Sequence, residues 1–396
     1  MTQNDTITIA GLPAWGAQNP LNALLPVSID GKTVKMTVPQ VRGFYSLPPP
    51  DPNPSVNVTN LNAAFRAAIT SNIGGLIIAS PGVYLINDTI EVRNVQGLRF
   101  IGSMQTIFIW VGDDATKPVF RLAHCNHCVF DGLYTRTLGA ALGQVHILRD
   151  NLNGATLTPS HNRIQNSILE GQGHCTYGVL IGGAGAVDAN NEYNSFEQVA
   201  VSGYKESGFY APNSQSFGTL MTNCATSGNG GGKYGVDTGN AGAAIHWIGG
   251  SFDGHHEADL RLGRSAQAHL IDNPQSENSA RMLDVTLDFR FQIHVRGFRW
   301  TGTGLHTDGK VIKTNMSGLL TLDSCTIGEG NTPTRNMTME FLNMTNPIAG
   351  AIRLKNTVVI SSANKVFTGD VQCVAVDGGH QMVSEVPPQY RVLSVN

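Results

Sequence analysis

The stretch Ser251–Arg264 holds the densest group of ionisable side chains in the sequence. Two carboxyl groups placed on either side of a glycosidic bond can hydrolyse it, one as the acid and the other as the base or nucleophile. Arginine and histidine side chains can hold the polar groups of a bound sugar. The stretch offers both kinds of residue, which are Asp253, His255, His256, Glu257, Asp259, Arg261 and Arg264.

A repeat in the second half of the chain indicates which elements position these residues. Short apolar segments recur every 24 or 25 residues, and most lead into a second apolar segment and a Gly, Ser or Asn turn. The recurring apolar residues are Phe196, Leu220, Ile245, Leu270, Val295 and Leu320. A fixed period of this size is typical of one supersecondary unit stacked many times. Because the units read as short strands and turns, the sequence predicts an all-β fold, a single-stranded parallel β-helix.

The repeat also predicts stacked carboxyl groups. Glu277 follows Asp253 by 24 residues and Asp284 follows Asp259 by 25. We expect each pair to lie on adjacent coils, about 4.8 Å apart on one face. Two stacked carboxylates raise the pKa of one of them, as a general acid requires. The predicted catalytic residues are therefore Asp253, Glu257, Asp259 and Glu277.

Two other interpretations of this cluster stay open. Acidic residues in turns often bind backbone amides or pair with arginine, as Glu277 could with Arg281, and their role is then structural. A lyase would instead need a base and a cation beside the carboxyl group of a uronate. The side chains available for that reaction are Arg261, Arg264, His255 and His256. No Asp-rich ladder stands out, so we predict no calcium, no other metal and no cofactor.

Sugar binding also needs flat aromatic surfaces with polar rims. We predict that Tyr234 and Trp247 supply such surfaces, since alternation along a strand turns part of the aromatic residues outward. Trp247 lies close to the apolar position Ile245, so core and surface positions are equally open for it. The polar partners predicted around these rings are His255, His256, Arg261 and Arg264.

Composition narrows the class of protein. Charged residues make up 14% of the 396 residues, glycine occurs 45 times and the net charge is −3, which fits tight turns better than charged helices. The sequence contains no cluster of Lys and Arg, so we predict no nucleic-acid partner. The sequence contains no apolar run of about 18 residues, so we predict no membrane-spanning helix. The start, Met1–Asp5, lacks the basic and apolar pattern of a signal peptide.

Six cysteines are present, and His124–Cys128 reads HCNHC, which resembles half of a zinc site. A structural zinc site usually needs a second close pair, and none follows at a suitable spacing. We therefore expect free thiols that act as small core residues.

The chain divides into parts of different composition. Asp30-Gly31 predicts a hairpin across Ser28–Val41, and Thr59–Ser71 reads as an amphipathic helix that caps the first coil. Longer spacings upstream of Phe196 predict inserted loops at Asp150–Ser160 and Gly182–Asn191. The predicted parts are an N-terminal attachment segment at 1–47, a Pro-rich linker at 48–58, the β-helix at 59–380 and a C-terminal tail at 381–396.

Two regions resemble known proteins. Leu61–Val92, with its helix, Gly-Gly, apolar strand and Pro-Gly-Val-Tyr, resembles the opening of the pectate-lyase-like superfamily of right-handed parallel β-helices. The later sequences SGNGGGKYG, IHWIGGSFDG and PQSENSARML resemble its repeats. ITIAGLPA and NALLPVSIDGKTVKMTVPQV, near the start, resemble the virion-attachment segment of tailed-phage fibres and spikes. The combination resembles a bacteriophage tailspike.

This resemblance implies a right-handed β-helix, a homotrimer, and attachment to other phage tail or baseplate proteins through residues 1–47. It implies a virion protein, made in the host cytoplasm without a signal peptide, that binds and depolymerises bacterial surface polysaccharide. Hydrolysis is favoured over elimination. A non-catalytic glycan-binding or structural spike is the main alternative, and a free polysaccharide-degrading enzyme is a third. No family-specific catalytic motif carries over to this sequence.

Overall fold

Parallel strands wound around a common axis make up most of the structure. The computed structural model describes residues 24–29, 32–37, 44–70, 73–150, 157–183, 191–213, 216–229, 231–240, 242–265, 267–285, 292–301, 306–315, 318–328, 338–342, 351–359, 367–369, 374–377 and 392–393. Each coil passes through three parallel sheets, called A, B and C here, before the chain returns to sheet A. Two long strands, Arg163–Ile181 and Ser195–Tyr210, bend through all three sheets.

The other strands contribute to one sheet each. Sheet A contains Phe44–Ser46, Leu76–Ile78, Arg99–Ile101, Val129–Asp131, Thr219–Thr222, Ile245–Ile248, His269–Asp272, Gln292–Arg296, Leu319–Asp323, Ala351–Lys355, Val374–Asp377 and Val392–Leu393. Sheet B contains Gly82–Ile86, Thr106–Trp110, Tyr134–Thr137, Ala225–Ser227, Ser251–Asp253, Gln275–Glu277, Arg299–Trp300, Thr326–Ile327 and Val358–Val359. Sheet C contains Ile90–Gln96, Phe120–Asn126, Ala141–Leu148, Tyr234–Asp237, Ala258–Leu262, Leu283–Val285, Lys310–Asn315, Thr338–Leu342 and Phe367–Gly369.

The predicted right-handed parallel β-helix is confirmed. The repeat fixes its register, because a coil of three short strands and their turns uses about the number of residues in one repeat. Asp253 is paired with Ser227 on one side and with Glu277 on the other. The 24-residue spacing therefore correctly predicted that Asp253 and Glu277 are neighbours on adjacent strands.

The phase of the apolar repeat differs from the prediction by one residue in several coils. The buried column of sheet A consists of Phe196, Met221, Trp247, Ile271, Val295 and Leu322, each paired with the next. Leu270, which the repeat placed inside, is 41% exposed beside the buried Ile271. Apolar residues at two successive positions leave the inward one undecided, since alternation alone does not choose between them.

The capping helix lies earlier in the sequence than predicted. It spans Pro54–Ala67, and the Asn53 side chain caps it by accepting the Ser55 N–H at 3.0 Å. The bounds 59–71 were wrong because proline fits the first turn of a helix, where its fixed φ is favourable and its missing N–H costs nothing. Leu61 and Phe65 are buried against the first coil.

The first coil has its open edges covered at this end. Asn57 donates to the Leu85 carbonyl at 2.8 Å, and the Asn62 side chain accepts the Glu91 N–H at 2.8 Å. The strand Phe44–Ser46 pairs with Leu76–Ile78 in sheet A. The end of the predicted attachment segment is therefore hydrogen-bonded to the β-helix, while the division of the chain into domains stays a prediction.

The predicted hairpin near the start is present. Leu24–Ile29 pairs antiparallel with Lys32–Thr37, and Ile29 lies opposite Lys32. This register leaves two residues, Asp30 and Gly31, to connect the strands, although they lie outside the described residues. A two-residue connection is what an Asp-Gly pair favours.

The HCNHC segment contributes to the core. Cys125 and Cys128 are buried free thiols, as are Cys175, Cys224 and Cys325. Among the described residues, no group of three or more His, Cys, Asp or Glu side chains could hold a metal ion. Within the same part of the chain, no helix is long and apolar enough to span a membrane.

Candidate functional site

A glycine corner shapes sheet C in the middle of the β-helix. A Cβ atom on Gly178 would lie 2.0 Å from Val201 Cγ1, and one on Gly235 would lie 2.6 Å from Phe252 Cδ1. Gly208 occupies the same position in the coil between them, and the pairing passes over it from Ser207 to Phe209. In these three coils a Cβ atom would clash inside the corner, so glycine is required where the strands bend.

Three tyrosines line the outer surface of this corner. The rings of Tyr177 and Tyr210 stack with centroids 4.5 Å apart and planes 14° apart. The Arg261 guanidinium lies 5.2 Å from the centroid of the Tyr234 ring, as in a cation–π contact. Burial raises the pKa of Tyr177 and of Tyr234 to about 12. The phenols therefore stay neutral and present flat, half-buried rings with hydroxyl groups.

Next to the tyrosines, sheet C carries a row of charged residues on successive coils. Tyr210 is paired with Asp237, Asp237 with Arg261, and Arg261 with Asp284. The row continues through Lys313 and Glu340, so the sign of the charge alternates from coil to coil. Each carboxylate in the row therefore lies beside at least one cation.

Asp237 is nearly buried in this row. Its carboxylate accepts the Gly239 N–H at 2.7 Å and a hydrogen bond from Arg261 Nη1 at 3.2 Å. Ser207 donates to the same oxygen as Arg261 at 3.4 Å. Burial raises the pKa of Asp237, and the charge of Arg261 opposes this effect without cancelling it. Asp237 therefore holds its proton to a higher pH than an ordinary aspartate does.

Asp284 occupies a similar environment two coils away. Burial raises its pKa, against the opposing charge of Arg281. Arg281 is buried and lies 3.3 Å from Asp284 and 2.7 Å from Asp308, and its Nε donates to the Lys310 carbonyl at 2.9 Å. These contacts hold Arg281 in one position, from which it orients the Asp284 carboxylate.

Asp237 and Asp284 lie two coils apart in the same row of sheet C. Two strand separations of about 4.8 Å place the backbones of Asp237 and Asp284 roughly 9.6 Å apart. Inverting glycosidases keep their carboxyl groups about 6.5–9.5 Å apart, which leaves room for a water molecule. Stacked tyrosines beside such a pair supply the surface against which a sugar ring can pack. We call this surface, formed by Tyr177, Tyr210, Tyr234, Asp237, Arg261 and Asp284, the tyrosine–aspartate face.

Further charged residues lie at the rim of this face. Lys233 and Glu206 form an ion pair at 2.8 Å. Glu257 is half-buried, and its charge contributes to the raised pKa values of Tyr234 and Asp284. Of the residues predicted from sequence, Tyr234 and Arg261 belong to the tyrosine–aspartate face, and Glu257 lies at its rim.

Asp253 and Glu277 lie on a different surface, the outer side of sheet B. They are paired as predicted. Asp253 accepts hydrogen bonds from Ser227 at 3.3 Å and from Asn229 and Asn278 at 3.2 Å each. Glu277 is exposed. This arrangement is a hydrated turn cluster on the surface, away from the three tyrosines.

His255 and Asp259 are inside the β-helix, which corrects their prediction as sugar-binding and catalytic residues. His255 Nδ1 lies 2.8 Å from Asp259 Oδ1, and His255 Nε2 lies 2.7 Å from the Tyr204 hydroxyl. Both residues are almost completely inaccessible. Asp259 occupies the corner position that glycines hold in earlier coils, so its side chain points inward. The predicted pairing of Asp259 with Asp284 was wrong, because Arg261 is the partner of Asp284.

The remaining predicted residues are dispersed. Trp247 is fully buried and stacks on Phe252 with centroids 4.4 Å apart, so it cannot offer a surface for sugars. His256 is exposed in the turn between sheets B and C, and Arg264 is exposed just after sheet C. The structure therefore gives neither residue a place beside the tyrosines.

Asp237 and Tyr177 were missed in the sequence, although a signal for them exists. The tripeptide Tyr-Gly-Val occurs at 177–179 and again at 234–236, where Asp237 follows directly. Its glycine is the one that the corner of sheet C requires. The loop between the two copies breaks the regular spacing, which hid the correspondence.

The predicted inserted loops start at the ends of sheet C strands. Asp150–Ser160 follows Ala141–Leu148, and Gly182–Asn191 follows Arg163–Ile181. His124 lies between the two ends of the first loop, 3.0 Å from an Asp150 carboxylate oxygen and 2.9 Å from the Leu157 carbonyl. Residues 151–156 and 184–190 are outside the described residues.

Comparison with known proteins found similarity of structure only. No protein-family model and no curated protein matches the sequence. Tailspike protein 2 of Escherichia coli O157:H7 bacteriophage CAB120 is similar at a TM-score of 0.45 and 10% identity, covering 92% of this chain and 46% of that one. The ORF18 protein of Geobacillus virus E2 has a TM-score of 0.39 and 12% identity, covering 89% and 64%.

An endo-xylogalacturonan hydrolase from Aspergillus tubingensis is also similar, with a TM-score of 0.38 and 10% identity over 89% of this chain and 96% of that one. The chain thus spans about half to two thirds of the length of the viral proteins. The solved structures that resemble this right-handed parallel β-helix include phage tailspike proteins and a polysaccharide hydrolase.

Proposed function

We propose that the protein is a tailspike-like virion component that binds bacterial surface polysaccharide on the tyrosine–aspartate face and hydrolyses it with Asp237 and Asp284. The observation that carries the proposal is the position of these two carboxyl groups. Asp237 is buried and Asp284 is partly buried, both have a raised pKa, and they flank Arg261 beside three tyrosines. The sequence resemblance to phage spikes supplies the class of substrate.

In the proposed reaction, the protonated carboxyl group of one aspartate donates its proton to the glycosidic oxygen. The other, ionised, accepts a proton from a water molecule that attacks the anomeric carbon from the opposite side. Arg261 lies between them and can hydrogen-bond a sugar hydroxyl group. Activity should decline as the pH rises through the raised pKa of the proton donor, because the donor then loses its proton.

Hydrolysis is favoured over elimination by the pairing of the cations on this face. Elimination needs a cation to neutralise the uronate carboxyl group next to the proton that is removed. Arg261 pairs with Asp237, and Lys233 pairs with Glu206. Both cations are therefore already neutralised by carboxylates of the protein.

The virion context is part of the proposal. Residues 1–47 attach the chain to other tail or baseplate proteins, and the chains associate as a homotrimer, as the sequence resemblance implies. Because Phe44–Ser46 forms the edge of sheet A, a truncation that tests attachment should remove residues 1–43 only. The truncated chain should fold and fail to join virions, and its incorporation would contradict the attachment role.

A digestion assay tests the catalytic proposal. Purified protein is mixed with capsule and lipopolysaccharide from candidate hosts, and reducing ends and the ultraviolet absorbance of unsaturated sugars are followed together. New reducing ends without that absorbance, lost in Asp237→Asn, would support hydrolysis at this face. Both signals together would indicate a lyase.

A non-catalytic glycan-binding spike is the second candidate. The alternation of charges from Asp237 to Glu340 favours it, because such a row also serves to balance charge along the sheet. Polysaccharide binding that persists without any new reducing ends, and that weakens in Tyr210→Ala, would establish this function instead.

A further inference from the structure

The outer side of sheet B carries an exposed apolar surface at its N-terminal end. Six apolar side chains from its first two coils and the start of the third lie next to one another, and we call them the apolar patch. They are Val83, Leu85, Ile107, Ile109, Val111 and Leu138. Val83 is 47% exposed, Val111 38% and Leu138 55%. A contiguous surface of this kind marks a place of contact, since isolated exposed apolar residues are common but clusters are not.

The patch is confined to this end of the β-helix. One row of sheet B runs from Val83 and Ile107 through Tyr134, Ile168 and two small residues, Ala200 and Ala225, before it becomes polar at Ser251 and Gln275. Leu85 and Ile109 lead through Arg136 and Glu170 to Asp253 and Glu277. Large apolar side chains in both neighbouring rows therefore occur together only in the first coils, among the described residues of sheet B.

The N-terminal hairpin needs a surface of this kind. It consists of Leu24–Ile29 and Lys32–Thr37, which pair only with each other among the described strands. In sequence, apolar residues alternate with others, and the register pairs Leu25 with Met36 and Val27 with Val34. A two-stranded hairpin is marginally stable in water by itself and needs further strands or a packed face.

The chain is long enough to bring the two together. The hairpin ends at Thr37, and Phe44 begins the first strand of sheet A, next to Leu76. The connection, residues 38–43, can span at most about 24 Å when fully extended. Phe44–Ser46 pairs with Leu76–Ile78, and the short connection after Leu76–Ile78 leads directly into Gly82–Ile86, the first strand of sheet B. The apolar patch is therefore within reach of the hairpin of the same chain.

We propose that the hairpin Leu24–Thr37 docks on the apolar patch of its own chain. This contact covers the exposed surface and stabilises the hairpin, and it fixes where the chain leaves the β-helix at this end. The attachment segment would then start from a defined position on sheet B.

Cross-linking in the full-length chain tests this contact. Val34→Cys is combined with Val83→Cys or with Leu138→Cys, and a short bis-maleimide is added. A matched control combines Val34→Cys with Leu270→Cys, which is an exposed apolar position of sheet A. All variants carry Cys373→Ser, and the five other cysteines are buried.

We expect links within one chain for both patch pairs and several-fold fewer for the control pair, quantified by mass spectrometry of the cross-linked peptides. Equal yields in patch and control pairs would overturn the proposal. Links that occur only between chains would also overturn it, and would show that a second copy supplies the hairpin.

Truncation gives a second measurement that does not depend on the chosen cysteines. Removal of residues 1–43 should raise the fluorescence of a dye that binds apolar surfaces by about twofold or more, because the patch is then exposed. Adding Val83→Asp and Leu138→Asp to the truncated chain should cancel the rise, while Leu270→Asp should not. Unchanged fluorescence after truncation would contradict the proposal, and circular dichroism confirms that each variant is folded.

Discussion

Two pairs of carboxyl groups on this β-helix look alike in sequence and differ in environment. Asp253 and Glu277 are direct neighbours on sheet B, surrounded by Ser and Asn donors and by solvent. Asp237 and Asp284 lie one coil farther apart on sheet C, and burial raises the pKa of both. The second pair is therefore distinguished by its partial or complete removal from water, which is the cause of its raised pKa values.

The largest expected contrast is in catalysis. Asp237→Asn and Asp284→Asn should each lower the cleavage rate by about 10³-fold, within the range that general acid–base catalysis contributes. Asp253→Asn and Glu277→Gln should change it less than about twofold, since surface substitutions away from a site have small effects. Release of reducing ends measures both sets. A loss of activity in the sheet B variants alone would return the site to the Ser251–Arg264 cluster.

The next contrast concerns stability and sets a core aspartate against a surface one. Asp259→Ala should lower the free energy of unfolding by roughly 2 kcal/mol, because it removes the nearest hydrogen-bond partner of the buried His255 Nδ1 and leaves only the longer contact to Ser279 Oγ. Asp253→Ala should cost less than about 0.5 kcal/mol. Urea denaturation followed by circular dichroism provides the comparison. Equal midpoints for the two variants would show that the His255–Asp259 contact contributes nothing.

A smaller effect is expected on binding. Tyr210→Ala removes one ring of the Tyr177–Tyr210 stack and should weaken polysaccharide binding about tenfold, equivalent to about 1.4 kcal/mol. Tyr193→Ala is the matched control, since Tyr193 is 49% exposed and stacks near His161 in a turn outside the face. Titration calorimetry with purified polysaccharide measures the affinities. If Tyr193→Ala weakens binding as much as Tyr210→Ala, the sugar contacts the turn as well.

The smallest effect is the pH dependence of stability. The pKa of Asp237 is higher in the folded chain than the ordinary 3.8, so the folded state binds this proton more tightly. The free energy of unfolding contributed by this group therefore falls as the pH rises from 3.8 through the raised value. Asp237→Asn should make the decline shallower by this group's share and leave the share of Asp284, whose pKa is also raised, while Asp253→Asn should retain the full slope. Denaturation series at several pH values on both variants would detect the difference in slope.

The fold was predictable from the sequence because successive coils in the second half of the chain contain nearly the same number of residues. The repeat at Phe196, Leu220 and Ile245 predicted parallel coils, and the 24-residue step from Asp253 to Glu277 predicted their register correctly. The inward phase was not predictable where two apolar residues adjoin, and for that reason Trp247 was assigned to the surface as readily as to the core.

The site was only partly predictable. Tyr234 and Arg261 of the proposed site are among the residues predicted from the sequence, whereas Asp237 lies outside the polar cluster Ser251–Arg264. Asp259 was misplaced because a bend interrupts strand alternation, and this bend depends on the space beside Gly178 and Gly235. The burial of Asp259 depends on how neighbouring coils pack against each other, and the residues next to it in the sequence do not indicate it.

The covered N-terminal end has a consequence for how these molecules can aggregate. A β-helix exposes unpaired backbone groups at each end, and such an end can template the strands of another molecule, as in amyloid growth. Here Phe44–Ser46 and the asparagines of the helix Pro54–Ala67 already bind the edge of the first coil. The helix therefore covers this end at sheets B and C, and end-to-end stacking of two rods through those sheets would first require the helix to detach.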